Sequence, residues 1–91
     1  MLSELFEIIE VRKRERPQGS YTAELLSSGE DEILKKVGEE AMEVILAAKG
    51  HGERRLIEET ADLFYHVLVM LAYKDLTLAD VEEELRQRHG S

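Results

Sequence analysis

The chain has 91 residues, enough for one small domain, and its formal net charge of −8 argues against general electrostatic binding to nucleic acid. Hydrophobic residues make up 43% and charged residues 35% of the chain, a balance typical of a folded protein. The absence of cysteine excludes disulfides, thiolate zinc sites and cysteine nucleophiles. We therefore expect one domain over residues 1–91.

The first half of the chain predicts two long helices around a connection. Apolar spacing predicts a helix over about residues 2–14, and Pro17 ends it because proline disfavours helix at the preceding residue. In the connection, Ser20 or Thr22 is suited to cap a short helix, and Gly29 to close it. The second long helix is expected over about residues 30–49.

The second half predicts two more helices. Gly50, His51 and Gly52 mark a break, after which a third long helix is expected over about residues 53–74. Thr77 and Asp80 have the spacing of a capping box and predict a last helix to about residue 88. The sequence thus predicts an all-α fold.

Helical wheels place a stripe of apolar residues on each of the two central helices. The third long helix has a wider stripe than one neighbour needs, and we expect its excess to be buried against another subunit, most simply in a homodimer. The excess consists of Ala61, Val69, Met70 and Ala72. The main stripes consist of Ile33, Val37, Ala41, Val44, Ile45 and Ala48, and of Leu56, Ile57, Thr60, Leu63, Phe64, Val67, Leu68 and Leu71.

Two clusters of acids border these apolar stripes. Glu40 and Glu43 lie on one border of the second long helix, because residues three apart share a side, whereas Glu39 lies nearer solvent. Glu59 and Asp62 lie on a border of the third helix. If the two borders meet, four carboxylates converge and repel one another unless a cation lies between them.

The chemistry of these acids favours a hard divalent cation. Magnesium prefers oxygen ligands, with manganese as a possible substitute, and such ions are used to handle polyphosphates. A bound water, activated by the metal or by Glu39, is a candidate nucleophile. The alternative is a pair of solvated acidic helix faces, and the two interpretations are about equally supported by spacing alone.

Basic residues offer candidate phosphate ligands. Arg12 and Lys13 belong to the one basic cluster, which suits either a helix C-terminus or a phosphate-binding patch. Lys36 lies on the acidic border and is suited to pair with phosphate, with Lys35 beside it.

Hydroxyl groups and one histidine complete the candidate set. Ser20, Tyr21 and Thr22 are suited to bind a ribose or phosphate, or to cap a helix. His66 follows Asp62 by one helical turn, and we expect a hydrogen bond from it to one of the acids in preference to a ligand or acid role.

The combination of motifs resembles the all-α, MazG-like nucleotide pyrophosphohydrolases and, within them, the phosphoribosyl-ATP pyrophosphohydrolase family of histidine biosynthesis. The signature is EExxE followed by ExxD, and the likeness covers nearly the whole chain. It departs from the family at residues 14–19, where a short acidic stretch is expected. The segments that carry it are Ser20-Tyr21-Thr22-Ala23, Lys35-Lys36-Val37-Gly38-Glu39-Glu40-Ala41 and Ala61-Asp62-Leu63-Phe64-Tyr65-His66.

The resemblance implies a MazG-like helical bundle whose four-helix packing is completed by a dimer. The implied activity is the magnesium-dependent hydrolysis of phosphoribosyl-ATP to phosphoribosyl-AMP and pyrophosphate, the second step of histidine biosynthesis, with the cyclohydrolase of the next step on a separate chain. The family pattern implies an accessory role for Glu39. The implied metal ligands are Glu40, Glu43, Glu59 and Asp62, and the residues that offset phosphate charge are Arg12, Lys13, Lys35 and Lys36.

Two other functions are compatible with the same sequence. One is a house-cleaning pyrophosphohydrolase acting on (d)NTPs, and the other is a non-enzymatic acidic interaction module.

The apolar stretches are too short to span a bilayer, and the acidic N-terminal residues do not form a signal peptide. We therefore expect a cytoplasmic protein that acts on a small nucleotide and contacts neither membrane nor nucleic acid.

Overall fold

A computed structural model describes residues 1–90, and these form five α-helices without a strand. The all-α prediction is thereby confirmed. None of the five helices is both long and apolar enough to cross a membrane. The helices are α1 (Leu2–Glu15), α2 (Tyr21–Ser27), α3 (Glu30–Gly50), α4 (Glu53–Tyr73) and α5 (Leu78–His89).

The helix ends follow local chemistry. α1 stops before Arg16, which adopts a left-handed conformation with φ 48° ahead of the proline. The Ser20 hydroxyl accepts a hydrogen bond from the Ala23 amide at 3.1 Å and caps α2. Gly29 directly follows Ser28, the C-cap of α2, as the sequence suggested. Its φ of 100° also sets the chain direction into α3, because glycine tolerates positive φ.

The last helix begins at the predicted capping box. The Thr77 hydroxyl accepts from the Asp80 amide at 3.1 Å, and the Asp80 carboxylate accepts from the Thr77 amide at 2.9 Å. Both amides lie at the helix start, where the i−4 carbonyl partner of a regular helix is missing, so these bonds give α5 a well-defined start.

α3 and α4 form an antiparallel hairpin that positions the acids. The tight turn at His51 and Gly52 joins them, with Gly52 at φ 89°. At the open end of the hairpin, Lys74 after α4 forms an ion pair with Glu30 at the start of α3. The acid-bearing parts of both helices lie between these two ends and are therefore held side by side.

The hydrophobic core lies at one end of the hairpin. α1 and α2 cover the C-terminal half of α4 there, with Ile33 contributed by the first turn of α3. Val69 and Ala72 are completely buried in this core. The expectation that they extend an outward apolar face is therefore wrong, because α1 and α2 already cover that side of α4. The buried core residues are Phe6, Ile9, Leu25, Leu26, Ile33, Leu68, Val69, Leu71 and Ala72.

Apolar residues at the other end of the hairpin remain exposed. Ile45, Ile57 and Phe64 were expected in the main stripes, yet each is at least half exposed because α1 and α2 do not reach them. With Met42 and Leu46 they form two apolar strips, 42/45/46 on α3 and 57/64 on α4, whose members are 44–59% exposed. One chain thus leaves part of its predicted core uncovered.

Ile9 and Ile8 provide a matched test of the core. Ile9→Ala should lower the free energy of unfolding by about 2–5 kcal/mol, because the side chain is fully buried and its truncation leaves a cavity. Ile8→Ala removes the same atoms from a side chain that is 47% exposed and should cost far less. Urea denaturation measures both, and equal losses would contradict the core described here.

Candidate functional site

The antiparallel hairpin brings three carboxylates from two helices to one point. Glu40 of α3 and Glu59 and Asp62 of α4 each offer an oxygen, and these three oxygens lie within 4.8 Å of one another. Glu59 and Asp62 share a side of α4 because they are three residues apart. Three of the four predicted metal ligands therefore meet.

The other two predicted acids lie at the margin of this cluster. Glu43 is not among the three convergent residues, although its charge is close enough to raise the pKa of Glu59. Glu39 has a half-exposed side chain and lies 3.9 Å from the ammonium of Lys36. These positions agree with Glu39 lying nearer solvent than Glu40.

Glu59 is the electrostatic centre of the cluster. Glu59 is only 6% exposed, and this burial is the largest of the effects that raise the pKa of its carboxyl. The neighbouring charges of Asp62, Glu40 and Glu43 raise the pKa further, and Arg55 opposes them. Burial and repulsion thus both disfavour the carboxylate form.

The donor set fits a hard divalent cation. The three convergent residues offer only carboxylate oxygens, which magnesium and manganese prefer. A cation between them would remove the repulsion that raises the pKa of Glu59. The residues present are therefore suitable for the ion that the family resemblance implies.

Arg55 is a member of the site that sequence reasoning missed. Its guanidinium lies 3.2 Å from the Glu59 carboxylate, one helical turn away on α4. The i, i+4 spacing of Arg55 and Glu59 was the available signal. Lys36 is similar on α3, with its ammonium 3.9 Å from the Glu40 carboxylate. Two cations thus flank the acids.

A hydrogen-bonded cluster joins α2 to α4 beside the acids. The Tyr21 hydroxyl lies 3.3 Å from His66 Nε2, and the hydroxyls of Thr22 and Tyr65 are hydrogen-bonded to each other. His66 Nδ1 lies 2.7 Å from the backbone carbonyl of Asp62. The expected hydrogen bond from His66 to one of the acids is therefore made to Asp62, but to its backbone carbonyl and not to its carboxylate.

The predicted basic ligands near the end of α1 are not brought to the acids. Lys13 donates to the Ala72 carbonyl at 2.7 Å and pairs with Asp75 at 2.6 Å, and so ties α1 to the end of α4. Ala72 lies ten residues beyond Asp62, roughly 15 Å along the helix. Arg12 lines a separate cleft between α1 and α5. Lys35 is exposed on α3.

A cleft between α2 and α3 opens beside the acids. It has a volume of about 320 Å³, and two carboxylates and one ammonium belong to its lining, which consists of Tyr21, Glu24, Leu25, Ser28, Glu32 and Lys36. Lys36 connects it to the carboxylates through its proximity to Glu40. The cleft therefore extends the site from the acids toward the exposed ring of Tyr21.

Comparison with known proteins decides the family. Residues 2–89 match the family described as Phosphoribosyl-ATP pyrophosphohydrolase. The chain belongs to this family. A phosphoribosyl-ATP pyrophosphatase of Listeria innocua is 53% identical over 90 residues, which are 99% of this chain and 86% of that protein. One of Metallosphaera sedula is 50% identical over 88 residues, covering 97% of this chain and 95% of that protein.

A third relative supports the same assignment. The phosphoribosyl-ATP pyrophosphatase of Geobacter sulfurreducens is 50% identical over 91 residues, which are the whole of this chain and 84% of that protein. The family likeness drawn from the acidic and hydroxyl-bearing segments is thereby confirmed over residues 2–89.

Glu59→Gln should stabilise the metal-free protein at neutral pH. A raised pKa means that the native state holds the Glu59 proton more tightly than the unfolded chain, so stability falls as pH rises above the ordinary value of 4.5. The amide removes this loss, and its gain should shrink as pH falls toward 4.5. Thermal melts in a chelator measure the effect.

Glu82→Gln is the matched control for this variant. Glu82 is an exposed acid of α5, outside the carboxylate cluster, and its change should leave the melting temperature nearly constant across the same pH range. A melting temperature of Glu59→Gln at or below that of the unchanged protein at pH 7 would contradict the electrostatic description.

Proposed function

We propose that this chain hydrolyses phosphoribosyl-ATP to phosphoribosyl-AMP and pyrophosphate, a step of histidine biosynthesis. The observation that carries the proposal is the convergence of Glu40, Glu59 and Asp62 in a chain that belongs to the phosphoribosyl-ATP pyrophosphohydrolase family. The relatives named for that activity match nearly the whole chain at about half identity. The cytoplasmic location remains a prediction.

The carboxylates are proposed to hold magnesium, with manganese as a substitute. Glu40, Glu59 and Asp62 would be ligands, and Glu43 would complete the set from the next turn of α3. When bound, magnesium offsets phosphate charge and lowers the pKa of a coordinated water. The acids are crowded before the ion binds, so they are already placed to receive it.

Other residues would bind and orient the substrate. Lys36 lies between the acids and the α2–α3 cleft and is placed to pair with a phosphate oxygen. Tyr21 offers an exposed ring in the same cleft. Glu39, at the outer margin of the acids, is suited to accept a proton from the attacking water. The phosphate end of the substrate would thus lie at the hairpin and the remainder along α2.

Removing a convergent acid should abolish turnover without unfolding the protein. We expect Glu40→Ala and Asp62→Ala to lower kcat at least about a hundredfold, because each removes a charge from the proposed metal site. Both should retain helicity, since removing an acid relieves repulsion. Pyrophosphate release from phosphoribosyl-ATP with magnesium measures activity, and circular dichroism measures helicity.

Controls separate this proposal from its competitors. Glu82→Ala, an exposed acid on α5, should retain full activity. Full activity in both site variants would overturn the assignment, and release of pyrophosphate from dCTP or dUTP alone would favour a house-cleaning enzyme. Magnesium should raise the melting temperature of the unchanged protein by mass action, whereas no shift would favour the non-enzymatic interaction module.

We also propose that two copies associate through the apolar strips of α3 and α4. On α3, Ile45 and Leu46 follow Met42 by three and four residues, and on α4 Phe64 follows Ile57 by seven, so each strip lies along one side of its helix. A second hairpin would cover them and complete four-helix packing. The proposed surface for self-association thus lies at the end of the hairpin near the turn between α3 and α4, and does not include Val69 and Ala72.

Ile45→Glu should weaken self-association, because it places a charge in the proposed interface. We expect the fraction of dimer at micromolar concentration to fall strongly, as measured by light scattering. Leu85→Glu is the matched control, since Leu85 is 52% exposed on α5 and should leave the dimer intact. A single-chain mass for the unchanged protein would overturn the proposal.

A further inference from the structure

His66 is a buried histidine to which the proposed function gives no role. It lies on α4 one turn beyond Asp62 and is only 6% exposed. Both ring nitrogens have partners, one on its own helix and one on α2. The ring therefore connects the backbone of a proposed metal ligand to the segment proposed to bind substrate.

The partners of His66 fix the positions of its protons. A backbone carbonyl only accepts hydrogen bonds, so the nitrogen 2.7 Å from the Asp62 carbonyl, Nδ1, carries the proton. In the neutral ring Nε2 is then an acceptor, and the Tyr21 hydroxyl donates to it across 3.3 Å.

The contacts of His66 also hold the Tyr21 ring in place. The His66 ring meets the Tyr21 ring edge-on, with centroids 6.3 Å apart, and meets Tyr65 edge-on at 5.0 Å. Tyr21 is itself 52% exposed and forms one wall of the α2–α3 cleft. Without His66, the exposed Tyr21 side chain would sample several rotamers in the free protein. Ordering that side chain would then cost free energy when substrate binds.

We propose that His66 is a positioning residue that holds Tyr21 in its substrate-binding orientation against the α2–α3 cleft. This inference rests on the proposed function. Tyr21 contacts the phosphoribosyl-nucleotide portion of the substrate, whereas the acids act on the phosphate linkage. Lys36 lines the same cleft and lies 3.9 Å from Glu40, so one substrate can reach both regions. Loss of His66 therefore weakens substrate binding more than it slows chemistry.

A double-mutant cycle tests the connection. Tyr21→Phe removes the hydroxyl and keeps the ring. His66→Asn keeps an amide that can donate to the Asp62 carbonyl but, being shorter than histidine, has no acceptor at the position of Nε2. Each should raise KM for phosphoribosyl-ATP about three- to tenfold, the effect of one hydrogen bond, with kcat changed less than about twofold. The double variant should match either single variant, because both remove the same bond.

Tyr73→Phe is the matched control, since it removes a tyrosine hydroxyl from the far end of α4 and should leave KM unchanged.

Imidazole nitrogen NMR adds a readout that needs no substrate. We expect His66 to be protonated at Nδ1, and Tyr21→Phe to move the Nε2 resonance. This readout and Tyr21→Phe decide the matter if His66→Asn does not fold.

The possible failures are distinguishable. A proton on Nε2, a KM unchanged in both variants, or additive effects in the double variant would overturn the inference while the proposed function stands. No turnover of phosphoribosyl-ATP by the unchanged protein would overturn the proposed function, and the inference with it.

Discussion

The antiparallel packing of α3 against α4 is the constraint on which the site depends. Only this packing brings Glu40 to the level of Glu59 and Asp62, which are about twenty residues away along the chain. The short turn before α4 and the ion pair between Glu30 and Lys74 define the two ends of the hairpin. The geometry of the acids thus follows from helix packing and not from a binding loop.

This packing brings carboxylates that repel one another close together, which suits the proposed function. Acids at the border of an apolar interface are partly desolvated, and Glu59 has both burial and three neighbouring carboxylates against its charge. Arg55 offsets part of that repulsion. A divalent cation between these acids would remove their mutual repulsion, which is why the cluster suits the proposed metal site.

The division of the hairpin into two ends explains its exposed apolar surface. α1 and α2 cover the C-terminal half of α4, where Val69 is fully buried, and leave Ile57 and Phe64 uncovered. α1, with 14 residues, and α2, with 7, cover only one end of a hairpin built from two 21-residue helices. The same division places α2, with Tyr21, next to the acids.

The sequence by itself determined the helices, their ends and the candidate acids. Apolar spacing, Pro17 and the Thr77–Asp80 capping box act within a few residues, so their effects can be read locally. The acidic signature was enough to indicate the family. Tertiary structure alone decided which acids converge, that Lys13 ties α1 to α4, and that His66 faces Tyr21. These contacts join residues that are distant in the chain. A helical wheel shows on which side of its own helix a side chain lies, but it does not show which other helix packs against that side.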